Sequence, residues 1–330
     1  MLRKVFFLAL TFIIASCTDT KKSIDIDSSP DEDKPWSIDD VPVSSSVVME
    51  NTYPVEEIHF PGDVIAYQDV VYTQIPGFRQ QRLDLYLPSD KTQKHPLIMY
   101  IHGGGWQGGH SRNSGAFENW PATLAMIAAK GYVVTSVNYR LGGEAKFPAA
   151  IHDVKTAIRW LRAHAEDYGI DKEKFLVWGA SAGGHLAALA ATSGDDEALA
   201  PKNLSEKLES ESDRVQACIG WYGIYDLTGM GEGGGPGGYF KEQLMEASPV
   251  SYVDETDGAF LLIHGEDDPV IPYQQSIDFN ELLNANHLKS SVHIVPGVAH
   301  SYIGKSPEVT KETSLQSLQM AMDFMDEQFK

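Results

Sequence analysis

The stretch Phe175-Leu176-Val177-Trp178-Gly179-Ala180-Ser181-Ala182-Gly183-Gly184-His185-Leu186 decides how this chain folds. Phe175 to Trp178 is a short apolar run, the pattern of a strand buried on both faces. Residues 183–192 are mostly small, which suits a helix packed tightly on a sheet. Between strand and helix stands Ser181, with Gly179 and Gly183 on either side. A strand that turns at once into a helix brings two backbones together, and glycine leaves room for that approach. A serine at such a turn projects its hydroxyl above the sheet, and the helix N-terminus beside it favours negative charge.

The flanking chain repeats the strand and helix alternation. Tyr67–Tyr72 and Arg82–Leu87 alternate with a period of two and read as half-buried strands. Pro96–Ile101, Tyr132–Val137, Phe175–Trp178, Val215–Tyr222, Phe260–Ile263 and Ser291–Val295 read as further strands. Residues 148–167 set Ile151, Val154, Ile158 and Leu161 on one helical face, with Asp153, Lys155, Arg159 and Arg162 elsewhere. Residues 310–329 predict a terminal amphipathic helix with Leu315, Leu318, Met322, Phe324 and Met325 near its apolar side. Such alternation predicts an α/β fold: a mostly parallel sheet of about eight strands, covered by helices on both faces. The Gly-rich stretch Gly229–Gly238 reads as a mobile loop, too short for a lid domain, so the cap is short or absent.

The first 50 residues have a different character. Arg3 and Lys4 precede an apolar run, Val5 to Ile14, too short to span a bilayer as a mature helix. It ends in Ile14-Ala15-Ser16-Cys17, which resembles the lipoprotein box of bacteria. That resemblance implies a signal peptide over 1–16 and a lipid on Cys17. Residues 17–50 are rich in aspartate, serine and proline, a composition that stays solvated and predicts a flexible acidic tether. The catalytic domain is expected over 51–330, held at the bacterial cell envelope, periplasmic or at the cell surface. The formal charge of −20 repels phosphate backbones and argues against nucleic acid as a partner. The other cysteine, Cys218, lies in an apolar strand and reads as an inert buried thiol. Neither a Cys/His cluster nor a metal-ligand spacing such as HExxH occurs.

A second Gly-rich segment, His102-Gly103-Gly104-Gly105-Trp106, follows the strand ending at Ile101. Glycines there allow the chain to bend inward and present backbone N–H groups to an anion formed during acyl transfer. Two later strand ends carry titratable groups. Glu266, Asp267 and Asp268 follow Phe260–Gly265, and the residues alone leave all three open as an acid. Among the histidines, His264 reads as structural beside that acidic turn, His287 falls at a helix end and His293 within a strand. His300 follows the last strand and a turn, in Gly297-Val298-Ala299-His300-Ser301.

Together the motifs HGGGW, GASAGGH, GEDDPVIP and GVAH, over residues 67–304, resemble the lipase/esterase branch of the α/β-hydrolase superfamily. Val137–Leu141 and Phe147–Val154 add to the likeness, which is with the hormone-sensitive-lipase-like esterases. The short cap and HGGGW form are most similar to bacterial feruloyl and acetyl-xylan esterases. The resemblance implies Ser181 as nucleophile, Asp268 as acid and His300 as base. It implies Gly104, Gly105 and Ala182 as oxyanion-hole donors. It implies hydrolysis of short acyl or aryl esters through an acyl-enzyme, without cofactor or metal, on a small ester or an acylated polysaccharide. The same residues serve amide hydrolysis equally well, and a catalytically silent binding module is the alternative of a different class. Trp106, Tyr139, Trp221, Tyr222 and Tyr225 are candidates to line the substrate site. No protein partner is implied.

Overall fold

The computed structural model describes residues 56–230, 235–241 and 243–330. The expected signal peptide, Cys17 and the tether lie outside the described residues. Among the described residues nine strands form one sheet: β1 Glu56–Phe60, β2 Val64–Thr73, β3 Gln81–Leu87, β4 His95–Ile101, β5 Val133–Val137, β6 Ile170–Ala180, β7 Ala217–Trp221, β8 Ala259–Gly265 and β9 Ser290–Val295. Seven helices among the described residues accompany them: α1 Trp120–Ala128, α2 Ala149–Ala163, α3 Ala165–Tyr168, α4 Ala182–Thr192, α5 Glu206–Glu209, α6 Gln274–Ala285 and α7 Pro307–Phe329.

The sheet order is β1-β2-β3-β5-β4-β6-β7-β8-β9. The pairs from β1 through β3 to β5 are antiparallel, and every pair from β5 to β9 is parallel. One strand exceeds the eight expected. β1 opens with two glutamates at the sheet's edge, so its period-two signal reduces to Ile58 and Phe60, which pack on the core.

Two apolar layers sandwich the sheet. One holds Ile151, Val154, Ile158 and Leu161 of α2, Leu186 and Leu189 of α4, and Phe279 and Leu283 of α6. The other holds Trp120, Leu124 and Ile127 of α1, and Leu318, Ala321, Phe324 and Met325 of α7. A fully buried leucine-sized side chain contributes about 1.5–3 kcal/mol, so these layers dominate the stability. Leu315 is a correction: it is exposed, because α7 turns the arc from Ser314 through Leu318 to Met325 inward. The charged residues that α2 places off its apolar face are not thereby exposed: Asp153, Lys155 and Arg162 are buried. The Arg140 guanidinium donates to Asp153, and Lys155 and Arg159 both meet Asp213.

Candidate active site

All the sequence-predicted residues that the structure brings together sit at the carboxyl ends of β4, β6, β7 and β8 and just after β9. That end is the crevice where parallel sheets bind ligands.

Ser181 occupies the turn between β6 and α4 at φ 57° and ψ −121°, a conformation that side chains rarely adopt. Its N–H donates to Trp221 O of the neighbouring strand at 2.8 Å, which holds the turn against the sheet. The turn is possible because Gly179 and Gly183 nearly touch. A Cβ built on Gly179 would lie 2.0 Å from Gly183 O.

His300 stands beyond β9, with Nε2 2.9 Å from Ser181 Oγ and Nδ1 2.6 Å from Asp268 Oδ2. With Nδ1–H donating to the carboxylate, Nε2 is left to accept the serine hydroxyl. Of the three acidic residues after β8, Asp268 alone reaches His300, and Glu266 and Asp267 are exposed. Two backbone bonds, Glu266 N–H to Val295 O and Asp267 N–H to Val298 O, tie the acidic turn to the loop that carries His300.

The Asp268 side chain is fully enclosed. Burial alone would raise its carboxyl. Donors from His264, His300 and the N–H groups of Ile271 and Val270 outweigh burial and hold it well below the usual carboxylate range. His264 is itself fixed: Nδ1 accepts from Ser276 Oγ at 2.7 Å, and Nε2–H is shared by Asp268 Oδ2 and Ile271 O.

The loop after β4 faces Ser181. Gly104 has φ 118° and Gly105 φ 59°, and a Cβ on Gly104 would lie 2.2 Å from Gly108 O. Gly104 O accepts the N–H groups of Gln107 and Gly108, closing the loop on itself. Among the described residues, the N–H groups of Gly104, Gly105 and Ala182 donate to no protein acceptor, which leaves them available to an anion. Burial pushes the His102 imidazole down to about 4, so it is neutral at pH 7, stacked 4.3 Å from the Tyr139 ring.

The cleft above Ser181 encloses about 400 Å³ and is lined by Gly104, Gly105, Ser114, Gly115, Tyr222 and His300 among others. Tyr222 is the aromatic candidate that reaches it, with its ring edge-on to His300 at 4.8 Å. Trp106 and Tyr139 do not line it, which corrects their reading as substrate contacts. The Trp106 indole N–H donates to His185 Nδ1, and its ring stacks on Tyr239. Tyr139 is fully buried, and its hydroxyl donates to His102 O at 3.0 Å. Trp221 and Tyr225 are likewise core residues. Both aromatic anchors therefore support the glycine loop from behind. Sequence reasoning missed Ser114 and Gly115, which sit in a loop without a motif, and the role of His185, for which the histidine that closes GASAGGH was the signal.

Of the Gly229–Gly238 stretch, residues 231–234 lie outside the described residues. Its far end is anchored where Gln107 donates to Pro236 O and Lys146 to Gly237 O. Among the described residues no cluster of His, Cys, Asp or Glu could hold a metal ion. The Cys218 thiol is buried in β7, and burial pushes it up, away from reactivity.

The BD-FAE family model matches residues 83–283, more than half of the chain. Esterase LipQ of Mycobacterium tuberculosis is 34% identical over 268 residues, covering 74% of this chain and 60% of LipQ. The chain thus spans about three fifths of that relative's length. A truncated carbohydrate esterase from gut microbiota superposes with a TM-score of 0.66 at 27% identity, covering 80% of this chain and 95% of that one. A propionate-bound esterase 2 of Thermogutta terrifontis superposes with a TM-score of 0.63 at 26% identity, covering 78% and 92%.

Proposed function

The chain belongs to the BD-FAE family and has the α/β-hydrolase fold, and on that footing we propose that it is a serine carboxylic-ester hydrolase. The observation that carries this reading is the unbroken line from Asp268 through His300 to Ser181, set beside three open backbone donors. His300 Nε2 takes the hydroxyl proton as Ser181 Oγ attacks the ester carbonyl. The carbonyl oxygen becomes an anion and accepts from the N–H groups of Gly104, Gly105 and Ala182. Collapse expels the alcohol, which receives the proton from His300, and leaves Ser181 acylated. Water then attacks the acyl-enzyme, giving its proton to His300; the bond to Ser181 Oγ breaks, His300 returns that proton to Oγ, and the acid departs.

The substrates are short acyl or aryl esters, which fit a cleft of about 400 Å³. Acetyl or feruloyl groups on plant polysaccharide are the finer reading. Its support is the likeness to a carbohydrate esterase. The lipoprotein-like start, Ile14-Ala15-Ser16-Cys17, supports an anchored enzyme at the bacterial cell envelope, where such polymers are met. Cys17→Ala is expected to move the protein from the membrane to the soluble fraction, and unchanged fractionation overturns the anchor.

Turnover of 4-nitrophenyl acetate, a matched anilide, methyl ferulate and acetylated xylan tests the reaction. Ester cleavage is expected to exceed anilide cleavage, and Ser181→Ala to lower it by about 10⁶-fold, to the residual supplied by the anion hole. Equal activity of wild type and variant overturns the role of Ser181. Faster anilide cleavage replaces esterase with amidase.

A further inference from the structure

A second cavity, of about 580 Å³, lies at the other end of the sheet. Tyr67 of β2, Leu87 at the end of β3, the loop Pro88–Lys94, His95 at the start of β4 and Tyr168 of α3 line it. His95 opens β4 and His102 follows its end, so the strand's length, about 20 Å, separates this cavity from the cleft at Ser181. Nothing in the esterase chemistry uses it.

The walls are half-buried aromatics. The Tyr67 and Tyr168 rings are 6.5 Å apart and tilted, while Trp160, behind Tyr168, stacks on His164 and does not line the cavity. Among the described residues neither the Tyr67 nor the Tyr168 hydroxyl has a hydrogen-bond partner. Each therefore offers an apolar ring and a polar tip at once, with little side-chain entropy to lose. The rim is polar and already ordered. Lys94 Nζ meets Glu166 Oε2 at 2.8 Å, bridging the β3–β4 loop to α3. Asp90 accepts from Thr92 and Gln93, and Asp90 O accepts from the buried His95 imidazole. Its charges are mixed: Asp90, Glu166 and Asp167 against Lys91 and Lys94.

We propose that this cavity is a non-catalytic binding site for a neutral oligosaccharide segment, holding an acylated polysaccharide while Ser181 deacylates it. The proposal rests on the carbohydrate reading above. A volume of about 580 Å³ falls in the range of small-ligand sites, apolar walls with a few placed polar groups being their usual make-up. A rim of mixed sign favours neither an anion nor a cation. A sugar ring has a C–H face that lies on an aromatic ring and a girdle of hydroxyls that meets the tyrosine hydroxyls, Asp90, Gln93 and Asp167. Two tyrosine rings side by side suit a ligand made of repeated rings, and so a segment of a polymer rather than a single small molecule.

The probe is unsubstituted β-1,4-xylohexaose, which has no ester to cleave, titrated calorimetrically into the full chain. Wild type is expected to bind it. Saturating hexaose is expected to leave 4-nitrophenyl acetate turnover unchanged, because the cavity is remote from Ser181. Tyr67→Ala with Tyr168→Ala is expected to weaken hexaose binding at least tenfold and to slow release of acetate from acetylated xylan several-fold. Turnover of 4-nitrophenyl acetate should stay within twofold, which also reports that the variant is folded. Absence of binding by wild type, competitive inhibition by the hexaose, or a double variant that binds as wild type does would each overturn the proposal. Aryl ester turnover without hexaose binding sinks this site and leaves the esterase intact. Hexaose binding without any ester turnover does the reverse.

Discussion

Asp268→Asn asks the structure for a specific answer, because the carboxylate is held from both sides. Oδ1 accepts the N–H groups of Val270 at 2.8 Å and Ile271 at 3.0 Å, and these backbone donors cannot turn round. Oδ2 accepts from His300 at 2.6 Å and from His264 at 3.2 Å. An asparagine must leave its oxygen on the backbone pair, so its NH₂ replaces Oδ2 and points at two imidazoles. His300 can then meet it only by making Nδ1 an acceptor. The ring proton moves to Nε2, which faces Ser181 as a donor and can no longer take the serine proton. A wrong-tautomer base of this kind lowers kcat by about 10⁴-fold, or about 5.5 kcal/mol of transition-state stabilisation. KM should change little, since substrate does not touch Asp268. The assay is steady-state hydrolysis of 4-nitrophenyl acetate, with Glu266→Gln and Asp267→Asn as neighbours expected to be near wild type. Stability supplies a second readout. The Asp268 carboxyl is held below its ordinary value, so its contribution is fully present above about pH 4 and is lost as pH falls through the depressed native value. The melting-temperature gap between wild type and Asp268→Asn should therefore narrow toward acid pH. An asparagine variant that keeps more than a tenth of wild-type kcat refutes the tautomer argument. So would an equal loss in Asp267→Asn.

Gly104→Ala places a Cβ 2.2 Å from Gly108 O at a φ of 118°, so the loop must shift and its N–H leaves the anion position. A loss of about 10²–10³-fold in kcat is expected in stopped-flow ester hydrolysis, and activity within twofold of wild type would exclude this donor. Asp257 gives a pH test away from the site. Burial raises its carboxyl to about 7, so the native state holds an extra proton between about pH 4 and pH 7 and stability falls as pH rises through that window. Asp257→Asn, which keeps an oxygen for the Asp254 N–H, should raise the melting temperature at pH 8 and leave it unchanged at pH 4; equal shifts at both pH values would show the burial argument wrong.

The sequence made legible what is carried by local backbone chemistry. Gly179 and Gly183 around Ser181 announce a close approach of strand and helix, and the order of Asp268 and His300 follows strand ends that apolar runs mark well. What stayed hidden depends on partners far along the chain. Trp106 is buried because His185, Tyr239 and Phe240 surround it, and none of these is near it in sequence. The burial of Asp153 and Lys155 could not be read locally, because their partners, Arg140 and Asp213, lie elsewhere along the chain. An aromatic beside a motif signals equally a substrate contact and a brace, and only burial separates the two. β1 escaped because an edge strand needs just one apolar face, and only two apolar residues, Ile58 and Phe60, supplied it.

The triad's geometry follows from the register of adjacent strands. Ser181 follows β6 and Asp268 follows β8, two strands away, about 10 Å across the sheet. Neither can reach the other, and an imidazole between them closes the gap with bonds of 2.9 and 2.6 Å. The alignment is tied across the sheet step by step. Ser181 N–H donates to Trp221 O at the end of β7, Tyr222 N–H to Ile263 O on β8, and the Tyr302 hydroxyl to that same Ile263 O from the loop bearing His300. Ser181, Tyr222, Ser301 and Tyr302 all have positive φ without being glycine. Each such residue costs of order 1–3 kcal/mol, and a turn free to relax would release that strain. These turns are not free, because each is bonded to, or packed on, a strand whose own register is fixed by a core buried on both faces. A slip of one residue in β7 or β8 would move an anchor by about 3.3 Å, more than a hydrogen bond tolerates. The buried sheet is therefore what keeps a strained serine, a histidine and a carboxylate in line.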